Sequence, residues 1–122
     1  MKDNQALIVV DVQKDFLETG ALPVKDGSQV VPVINRISPK FKHVVFTQDW
    51  HPQGHISFAS SHLGKAPYST IDVSYGKQVL WPEHCVQNTV GAEFADGLNT
   101  ENGDCFVKKG AHSDIDSYSA FL

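Results

Sequence analysis

The sequence predicts an α/β fold in which a parallel, doubly wound sheet lies between helices, a three-layer α/β/α arrangement. One observation is the aliphatic run at residues 6–10, which has no polar alternation and is typical of a strand buried on both faces. Another is the element order, strand–helix–strand–long loop–strand–helix start, which favours parallel connections. A third is that each predicted strand ends at ionisable residues, where parallel sheets bind ligands.

The first half of the chain is predicted to contain two strands and one helix. The strand at residues 6–10 ends at Asp11, and residues 11–20 form a loop. A helix is predicted after Ser28, its expected N-cap, because apolar residues recur on one side at helical spacing: Val30, Val31, Ile34 and Ile37. A second strand is predicted at residues 43–47.

The second half is predicted to be less regular. Residues 52–82 are rich in Gly, Ser, Pro and aromatic residues, and so long an irregular stretch in a compact domain is usually functional. A short helix is predicted at residues 88–98, and a third strand at residues 105–107, just before a Lys-Lys-Gly sequence. A capped helix is predicted to begin at residues 116–121.

The length of 122 residues allows one domain at most, and the composition is that of a globular protein. The net charge of −4 argues against a nucleic acid or an anionic membrane as partner. The apolar run near the start is too short to span a bilayer, and a secretory signal is not expected. Two cysteines, Cys85 and Cys105, do not form a disulfide framework, so a cytoplasmic location is expected.

Ionisable residues follow three different predicted strands. Asp11 ends the first strand, Asp49 and His51 follow the second, and Lys109 follows the third. Because the carboxyl ends of parallel strands meet at one edge of a sheet, we expect these side chains to share a crevice.

The sequence Asp49-Trp50-His51 has the spacing of a metal site. Side chains two residues apart on an extended backbone point to the same side, so the carboxylate and the imidazole could reach one ion. The third ligand could come from several histidines: His55, His62 or His84. Such a donor set suits Zn²⁺, Fe²⁺ or Mn²⁺. On spacing alone, a polar loop with a surface histidine and a capping aspartate is the favoured alternative.

Six stretches, in this order, carry a resemblance to a known family. They are residues 6–16 (ALIVVDVQKDF), 47–52 (TQDWHP), 55–59 (HISFA), 81–87 (WPEHCVQ), 109–110 (KG) and 116–121 (DSYSAF). Together they resemble the nicotinamidase/pyrazinamidase branch of the isochorismatase-like cysteine hydrolases. The resemblance implies that family's fold and the conversion of nicotinamide and water to nicotinate and ammonia in NAD salvage. Pyrazinamide is an implied substrate analogue, and the oligomeric state is left open.

The resemblance also implies a metal site. It assigns one divalent ion, Zn²⁺ in preference to Fe²⁺ or Mn²⁺, to Asp49, His51 and His84, with the pyridine nitrogen of the substrate in an open position. His55 is expected beside the ion without binding it. His62 is expected to be an ordinary loop histidine.

Catalytic and substrate-binding roles are implied as well. In the family pattern, Asp11 and Lys109 form an acid–base pair, and the Lys-Gly sequence selects Lys109 over Lys108. Phe16 and Trp81 are implied to flank the substrate ring. Each residue has a structural alternative. Asp11 could cap the following turn, Lys109 could be a solvated strand-end lysine, and the two aromatic residues could belong to the core.

The sequence departs from the family at the nucleophile. The family's catalytic cysteine belongs to a later segment, so the resemblance implies that residues 1–122 are the N-terminal part of a single domain of this family, truncated at its C-terminus. Cys85 follows His84, where relatives have a cysteine that is not the nucleophile, and Cys105 is expected to be a small buried residue within a strand. The chain by itself is therefore expected to lack amidase turnover and to expose a sheet edge and apolar surface. One alternative is an inactive remnant that binds metal or ligand. Another is an isochorismatase-type hydrolase, although that branch generally lacks the Asp-Trp-His and Trp-Pro-Glu-His stretches that carry the metal ligands.

Overall fold

A three-stranded parallel sheet forms the centre of the structure, a computed structural model that describes residues 2–121. In chain order the elements are β1 (Lys2–Val10), α1 (Val30–Ile37), β2 (Phe41–Asp49), β3 (Thr70–Val73), β4 (Gly76–Val79) and β5 (Cys105–Lys109). The central sheet has the order β1-β2-β5, and β3 and β4 form a separate antiparallel hairpin. The predicted α/β class with a parallel sheet is confirmed.

The strand register brings three carboxyl ends to one edge. Val10 at the end of β1 pairs with Thr47, and Asp49 at the end of β2 pairs with Lys109 at the end of β5. Because all three strands run parallel, the residues that follow them emerge on the same side of the sheet. The edge is therefore where the ionisable residues predicted from the sequence meet.

One face of the sheet packs against α1. Val9 of β1 and Val44 and Phe46 of β2 are buried against Val31 of α1 and against Ala95. Apolar residues at alternate strand positions and at helical spacing supply this core.

The predicted helix is present, but its start differs from the prediction. A 3₁₀ turn at Gly27–Gln29 precedes α1, and Ser28 is not its cap. The Ser28 amide and hydroxyl instead both donate to Glu18 Oε1 at 2.8 Å.

The other face of the sheet is open. Ile8 is 43% and Val10 61% exposed, so the expectation that the first strand is buried on both faces is wrong for the described chain. The reason is that α1 and the segment around Ala95 cover the Val9 face alone. Cys105 is also exposed, against the expectation of a buried residue. This open face agrees with the expected exposure of apolar surface.

Residues 52–82 are more regular than predicted, since they contain the β3–β4 hairpin. Strands of four residues are too short to give a clear periodic signal. The turn ends at Gly76, whose φ of +124° favours glycine.

Two predicted helices are not seen in the region that the structure describes. Residues 88–98 contain only a 3₁₀ turn at Val90–Ala92, because Thr89 and Glu93 on either side of it have extended backbones, with ψ of 160° and 152°. Residues 116–121 form turns, because side chains bond to the nearby backbone: the Ser117 amide donates to Asp116 Oδ1 at 2.9 Å, and Ser117 Oγ to Ser119 O at 3.2 Å. Within residues 2–121, no helix is long and apolar enough to cross a membrane.

Candidate active site

The strand ends bring two aspartates to one buried lysine. Lys109 Nζ lies 2.9 Å from Asp11 Oδ2 and also donates a hydrogen bond to Asp49 Oδ1. Lys109 is 7% exposed, so it is not a solvated strand-end lysine. Burial by itself would lower the pKa of Lys109, but the two carboxylates raise it, so the ammonium form is favoured. Lys108 instead lies over the Trp50 ring, 4.0 Å from its centroid.

Asp11 is held at the edge by Thr47, its neighbour across the sheet. Thr47 Oγ1 donates to Asp11 Oδ1 at 2.6 Å, and the Asp11 amide donates to the Thr47 carbonyl at 3.2 Å. The backbone of Asp11 has a left-handed φ of +53°, which is uncommon for a residue with a side chain. The carboxylate therefore points toward Lys109, and the following 3₁₀ turn has no side-chain cap.

Asp49, His51 and His84 form a compact, buried cluster. His51 Nε2 lies 3.4 Å and His84 Nε2 3.8 Å from Asp49 Oδ2, and ligand atoms of all three residues lie within 4.8 Å of one another. Burial favours the neutral form of Asp49, yet contacts with His51 and Lys109 hold its pKa below the usual value. The carboxylate is therefore anionic and faces both imidazoles.

Hydrogen bonds to backbone carbonyls set the tautomers of the two histidines. His51 Nδ1 donates to Gly110 O at 2.9 Å, and His84 Nδ1 donates to Pro82 O at 2.7 Å. In the neutral form of each ring the Nε2 lone pair then lies on the side of Asp49, which is the arrangement common around bound metals. Two imidazole nitrogens and a carboxylate therefore fit a divalent ion such as Zn²⁺.

The pKa values of the two histidines shift in opposite directions. Burial lowers the pKa of His84, which favours the neutral imidazole that a metal needs. Against the effect of burial, the Asp49 carboxylate raises the pKa of His51. A proton and a cation therefore compete for the His51 nitrogen.

Backbone pairing explains how His84, far along the chain, reaches this cluster. The His51 amide donates to Cys85 O at 2.9 Å, and the Gln87 amide donates to His51 O at 2.8 Å. These bonds form a short parallel bridge between His51 and Val86. The bridge places the residue before Cys85 beside Asp49.

His55 and His62 have other partners. His55 Nδ1 contacts Ser57 Oγ at 2.7 Å and Nε2 contacts Ile115 O at 3.1 Å, although its ring centroid is 4.3 Å from that of His51. Both His55 nitrogens are thus engaged by the protein, and burial lowers the pKa of this side chain. A second group of suitable atoms joins His51, His55 and Asp116. His62 Nε2 bonds to Ile56 O at 2.7 Å, away from either group.

A small cavity opens beside these groups, with a volume of about 210 Å³. Phe16 and Trp81 both line it, and neither is fully buried, so they are not plain core residues. The Phe16 ring centroid lies 5.7 Å from that of His84. The lining also includes residues that had no predicted role: Leu22, and Asp116, Ser117 and Tyr118 of the last family stretch.

Gln13 is a further residue of the site that had no predicted role. It is completely buried, and its side-chain amide forms two hydrogen bonds with the backbone of Asp49. Nε2 donates to Asp49 O at 2.9 Å, and Oε1 accepts from Asp49 N at 2.8 Å. Nε2 also donates to Ala92 O at 2.8 Å. Its position in the first family stretch is the signal that could have identified it.

Neither cysteine lines the cavity. Cys85 is buried, and its backbone amide donates to Asp15 Oδ2 at 2.8 Å. Burial, with nearby carboxylates, raises the pKa of the Cys85 thiol far above its usual value. Cys105 lies at the start of β5, at the opposite end of the strand from Lys109.

Comparison with known proteins identifies the family. A model of the isochorismatase domain matches residues 5–119. The nicotinamidase of Acinetobacter baylyi is 52% identical over 120 residues, covering 98% of this chain and 56% of that protein. The nicotinamidase of Escherichia coli is 41% identical over 122 residues, covering 97% of this chain and 57% of that protein. The chain thus spans a little over half the length of these relatives.

Similar solved structures support the same family. A nicotinamidase/pyrazinamidase of Acinetobacter baumanii is 51% identical with a TM-score of 0.96, covering 99% of this chain and 58% of that one. A yeast nicotinamidase bound to the inhibitor nicotinaldehyde is 36% identical, with a TM-score of 0.84 and coverages of 94% and 61%. A pyrazinamidase of Pyrococcus horikoshii in complex with zinc is 40% identical, with a TM-score of 0.71 and coverages of 95% and 57%. The chain therefore belongs to the isochorismatase domain family, as its sequence predicted.

Proposed function

We propose that residues 1–122 form the N-terminal portion of a single isochorismatase-like domain with nicotinamidase activity. The proposed reaction converts nicotinamide and water to nicotinate and ammonia, a step of NAD salvage in the cytoplasm, with pyrazinamide as an analogue. The observation that carries the proposal is that the Asp11–Lys109 pair and the Asp49–His51–His84 cluster face one small cavity. The similarity to named nicotinamidases supports it.

The proposed metal ligands are Asp49, His51 and His84, with Zn²⁺ as the preferred ion and Fe²⁺ or Mn²⁺ as alternatives. The paired Nδ1 hydrogen bonds to carbonyl groups support this choice, and so does the zinc-bound pyrazinamidase relative. When bound, the ion supplies an open coordination position that accepts the pyridine nitrogen and orients the substrate. His55 stays beside the ion in this proposal because both of its nitrogens have protein partners.

The size of the cavity supports a substrate with one ring. Its volume of about 210 Å³ is below the roughly 300–1,000 Å³ of sites for drug-sized ligands. We assign Phe16 and Trp81 to the two sides of the ring. The yeast nicotinamidase that binds nicotinaldehyde, a pyridine compound of similar size, supports this substrate class.

Asp11 and Lys109 are the proposed acid–base pair. Asp11 takes the proton of a cysteine thiol, and the Lys109 ammonium favours the thiolate. The sulfur then bonds to the amide carbonyl carbon, the C–N bond breaks, and ammonia leaves with the proton held by Asp11. Water, deprotonated by Asp11, hydrolyses the thioester, so that nicotinate leaves and the thiol is restored.

The thiol itself is proposed to lie outside these 122 residues. Neither Cys85 nor Cys105 lines the cavity, and the thiolate of Cys85 is strongly disfavoured. We therefore propose that this chain binds metal and substrate but does not turn over by itself. The same observation favours a second candidate, a chain that binds metal or ligand without any catalytic role.

Binding to the zinc-loaded chain tests the substrate and the metal assignments together. We expect nicotinamide to bind, measured by titration calorimetry, and benzamide, which lacks the ring nitrogen, to bind far more weakly. Asp49→Ala should abolish both zinc uptake and nicotinamide binding. His43→Ala is the matched control, because His43 is an exposed histidine near the other end of the same strand. Unchanged zinc stoichiometry in Asp49→Ala would contradict the ligand assignment.

An ammonia-release assay tests the mechanism. We expect no release from nicotinamide with this chain, and release when a polypeptide supplying the family's nucleophilic cysteine segment is joined to it. Turnover by the 122-residue chain that persists after both cysteines are replaced would overturn the mechanism. Binding of zinc and nicotinamide without turnover in the extended chain favours the second candidate.

A further inference from the structure

Gln78 is a buried polar residue that the proposed reaction does not use. It lies in β4 of the hairpin and is 1% exposed. Burying an amide is costly unless its donors and its acceptor are hydrogen-bonded. The partners of this side chain therefore show which parts of the molecule depend on it.

Gln78 joins the hairpin to one wall of the cavity, which is formed by Asp116, Ser117 and Tyr118. Its Nε2 donates to Val79 O at 2.7 Å. The same nitrogen lies 3.1 Å from Asp116 Oδ2 and 3.2 Å from the Tyr118 hydroxyl, which share its second hydrogen and belong to residues that line the cavity. Its Oε1 accepts a hydrogen bond of 2.7 Å from the Tyr75 hydroxyl at the hairpin turn. The Tyr75 hydroxyl in turn accepts a bond of 3.1 Å from the Asp116 backbone amide. Asp116 is thus held at both its side chain and its backbone.

The same connections reach a proposed ring-binding residue. The Tyr118 hydroxyl, which accepts from Gln78, also accepts from Trp81 Nε1 at 3.2 Å. The orientation of the Trp81 indole therefore depends on a hydroxyl that Gln78 helps to place.

The wall needs this support because it lacks regular structure. Among the described residues, 110–121 contain no helix or strand, so no ladder of backbone hydrogen bonds fixes the wall. The wall also adjoins the proposed catalytic lysine, since Lys109 Nζ lies 3.4 Å from Ser117 O. A displaced wall would change the shape of the cavity.

We propose that Gln78 is a positioning residue, which holds the wall formed by Asp116 and Tyr118 and, through the Tyr118 hydroxyl, orients the Trp81 indole in the cavity. The effect on the substrate rests on the proposed function, because it assumes that the cavity binds the nicotinamide ring. Gln78 then sets the affinity for the ring without touching it, and takes no part in proton transfer.

Indole N–H signals in a ¹H–¹⁵N NMR spectrum test the geometric part without metal or substrate. The chain has two tryptophans, Trp50 and Trp81, so each spectrum contains an internal reference. We expect Gln78→Met, which removes both the amide donors and the Oε1 acceptor and keeps the length, to shift the Trp81 signal and to leave that of Trp50 in place. Lys77→Met is the matched control, an exposed neighbour on the same strand. An unmoved Trp81 signal, or an equal shift in the control, overturns the proposal.

A double variant tests whether Gln78 acts through Tyr118. Tyr118→Phe removes the hydroxyl and is expected to shift the Trp81 signal itself. Adding Gln78→Met to this background should shift it no further. A full additional shift overturns the proposed connection. If Gln78→Met does not fold, Tyr75→Phe, which loses the bond to Gln78 Oε1, should move the same signal, and no movement overturns the proposal.

Ligand affinity completes the test. Loss of a hydrogen bond that positions the indole is expected to weaken nicotinamide binding to the zinc-loaded chain about two- to tenfold in Gln78→Met. Lys77→Met should bind as the unmodified chain does. Unchanged affinity in Gln78→Met overturns the effect on substrate. If the unmodified chain binds no nicotinamide, the proposed function fails, and the NMR comparison still decides the role of Gln78.

Discussion

Gly110 shows how a single residue without a side chain shapes the candidate site. Its φ is +65°, and its carbonyl accepts the hydrogen bond that sets the tautomer of His51. A Cβ atom at this position would lie 2.5 Å from His51 Cε1 and 2.7 Å from His51 Nδ1. At the end of β5, the buried ammonium of Lys109 is thus followed by a glycine, and the lack of a side chain on Gly110 lets the His51 ring lie close to it.

We predict that Gly110→Ala weakens zinc binding at least about tenfold, since the methyl group displaces the His51 ring from its position. The left-handed backbone should also cost about 1–2 kcal/mol of folding free energy. Gly54→Ala is the control, because Gly54 has a φ of +78° with nothing within 4 Å of its Cβ position. Zinc titration and denaturant unfolding of the two variants measure both effects. Equal zinc affinity in both variants would contradict the role of Gly110.

The two cysteines are predicted to differ in reactivity. Cys105 is exposed, whereas Cys85 is buried and its pKa is raised by burial and by nearby carboxylates. Because the thiolate is the reactive form, a thiol reagent should modify one cysteine in the folded chain and two in denaturant. Cys105→Ala should abolish the fast reaction, and Cys85→Ala should leave its rate unchanged. Fast labelling of the Cys105→Ala variant would show that Cys85 is accessible.

At the scale of elements, the two faces of β1 have different surroundings. Val9 is 3% exposed and packs in the core beside Val44 and Val31, while the neighbouring Val10 is on the open face. The uninterrupted aliphatic run of this strand would suit burial on both faces, but α1 covers one of them. The hairpin, by contrast, has a local role at the cavity wall.

We predict that Val9→Ala destabilises the chain by about 1–3 kcal/mol, because two buried methyl groups are lost and a cavity remains. Val10→Ala removes the same atoms from the exposed face and should cost less than about 1 kcal/mol. The two substitutions share the change in strand propensity, so their difference reports burial alone. Urea unfolding measures both, and equal losses would show that the Val10 face is covered in solution.

At the scale of the whole molecule, the metal cluster connects distant parts of the chain. Asp49 ends β2, His51 follows it, and His84 comes from beyond the hairpin. An ion bound by all three would therefore link segments that the small core does not join directly. Binding to the folded state alone stabilises it by mass action.

We predict that zinc raises the melting temperature of the chain and that a chelator reverses the effect. At zinc about 100-fold above its Kd, the stabilisation is about 2.7 kcal/mol, or on the order of 10 °C for a domain of this size. His84→Ala should remove the difference between the zinc-loaded and chelated forms, measured by scanning calorimetry. His62→Ala, whose ring bonds to Ile56 O, should keep it. A zinc effect that survives in His84→Ala would exclude His84 as a ligand.

Much of the site could be predicted because its signals are local in the sequence. Ionisable residues directly after apolar runs placed Asp11, Asp49 and Lys109 at one edge, and parallel pairing brings them there. The choice of His84 among three histidines came from the family resemblance, since spacing alone left it open. The register of residue 51 against residues 85–87 is a contact across more than 30 residues, which local patterns do not encode.

The sequence by itself determined the fold class, the approximate positions of the three central strands and the chemical types of residue at the sheet edge, because these depend on patterns within about ten neighbouring residues. The tertiary structure decided which face of β1 is buried, that residues 70–79 form a hairpin, and that Gln13 and Gln78 support the site. These features depend on hydrogen bonds and packing between residues far apart in the chain. Their geometry exists only once the segments have come together.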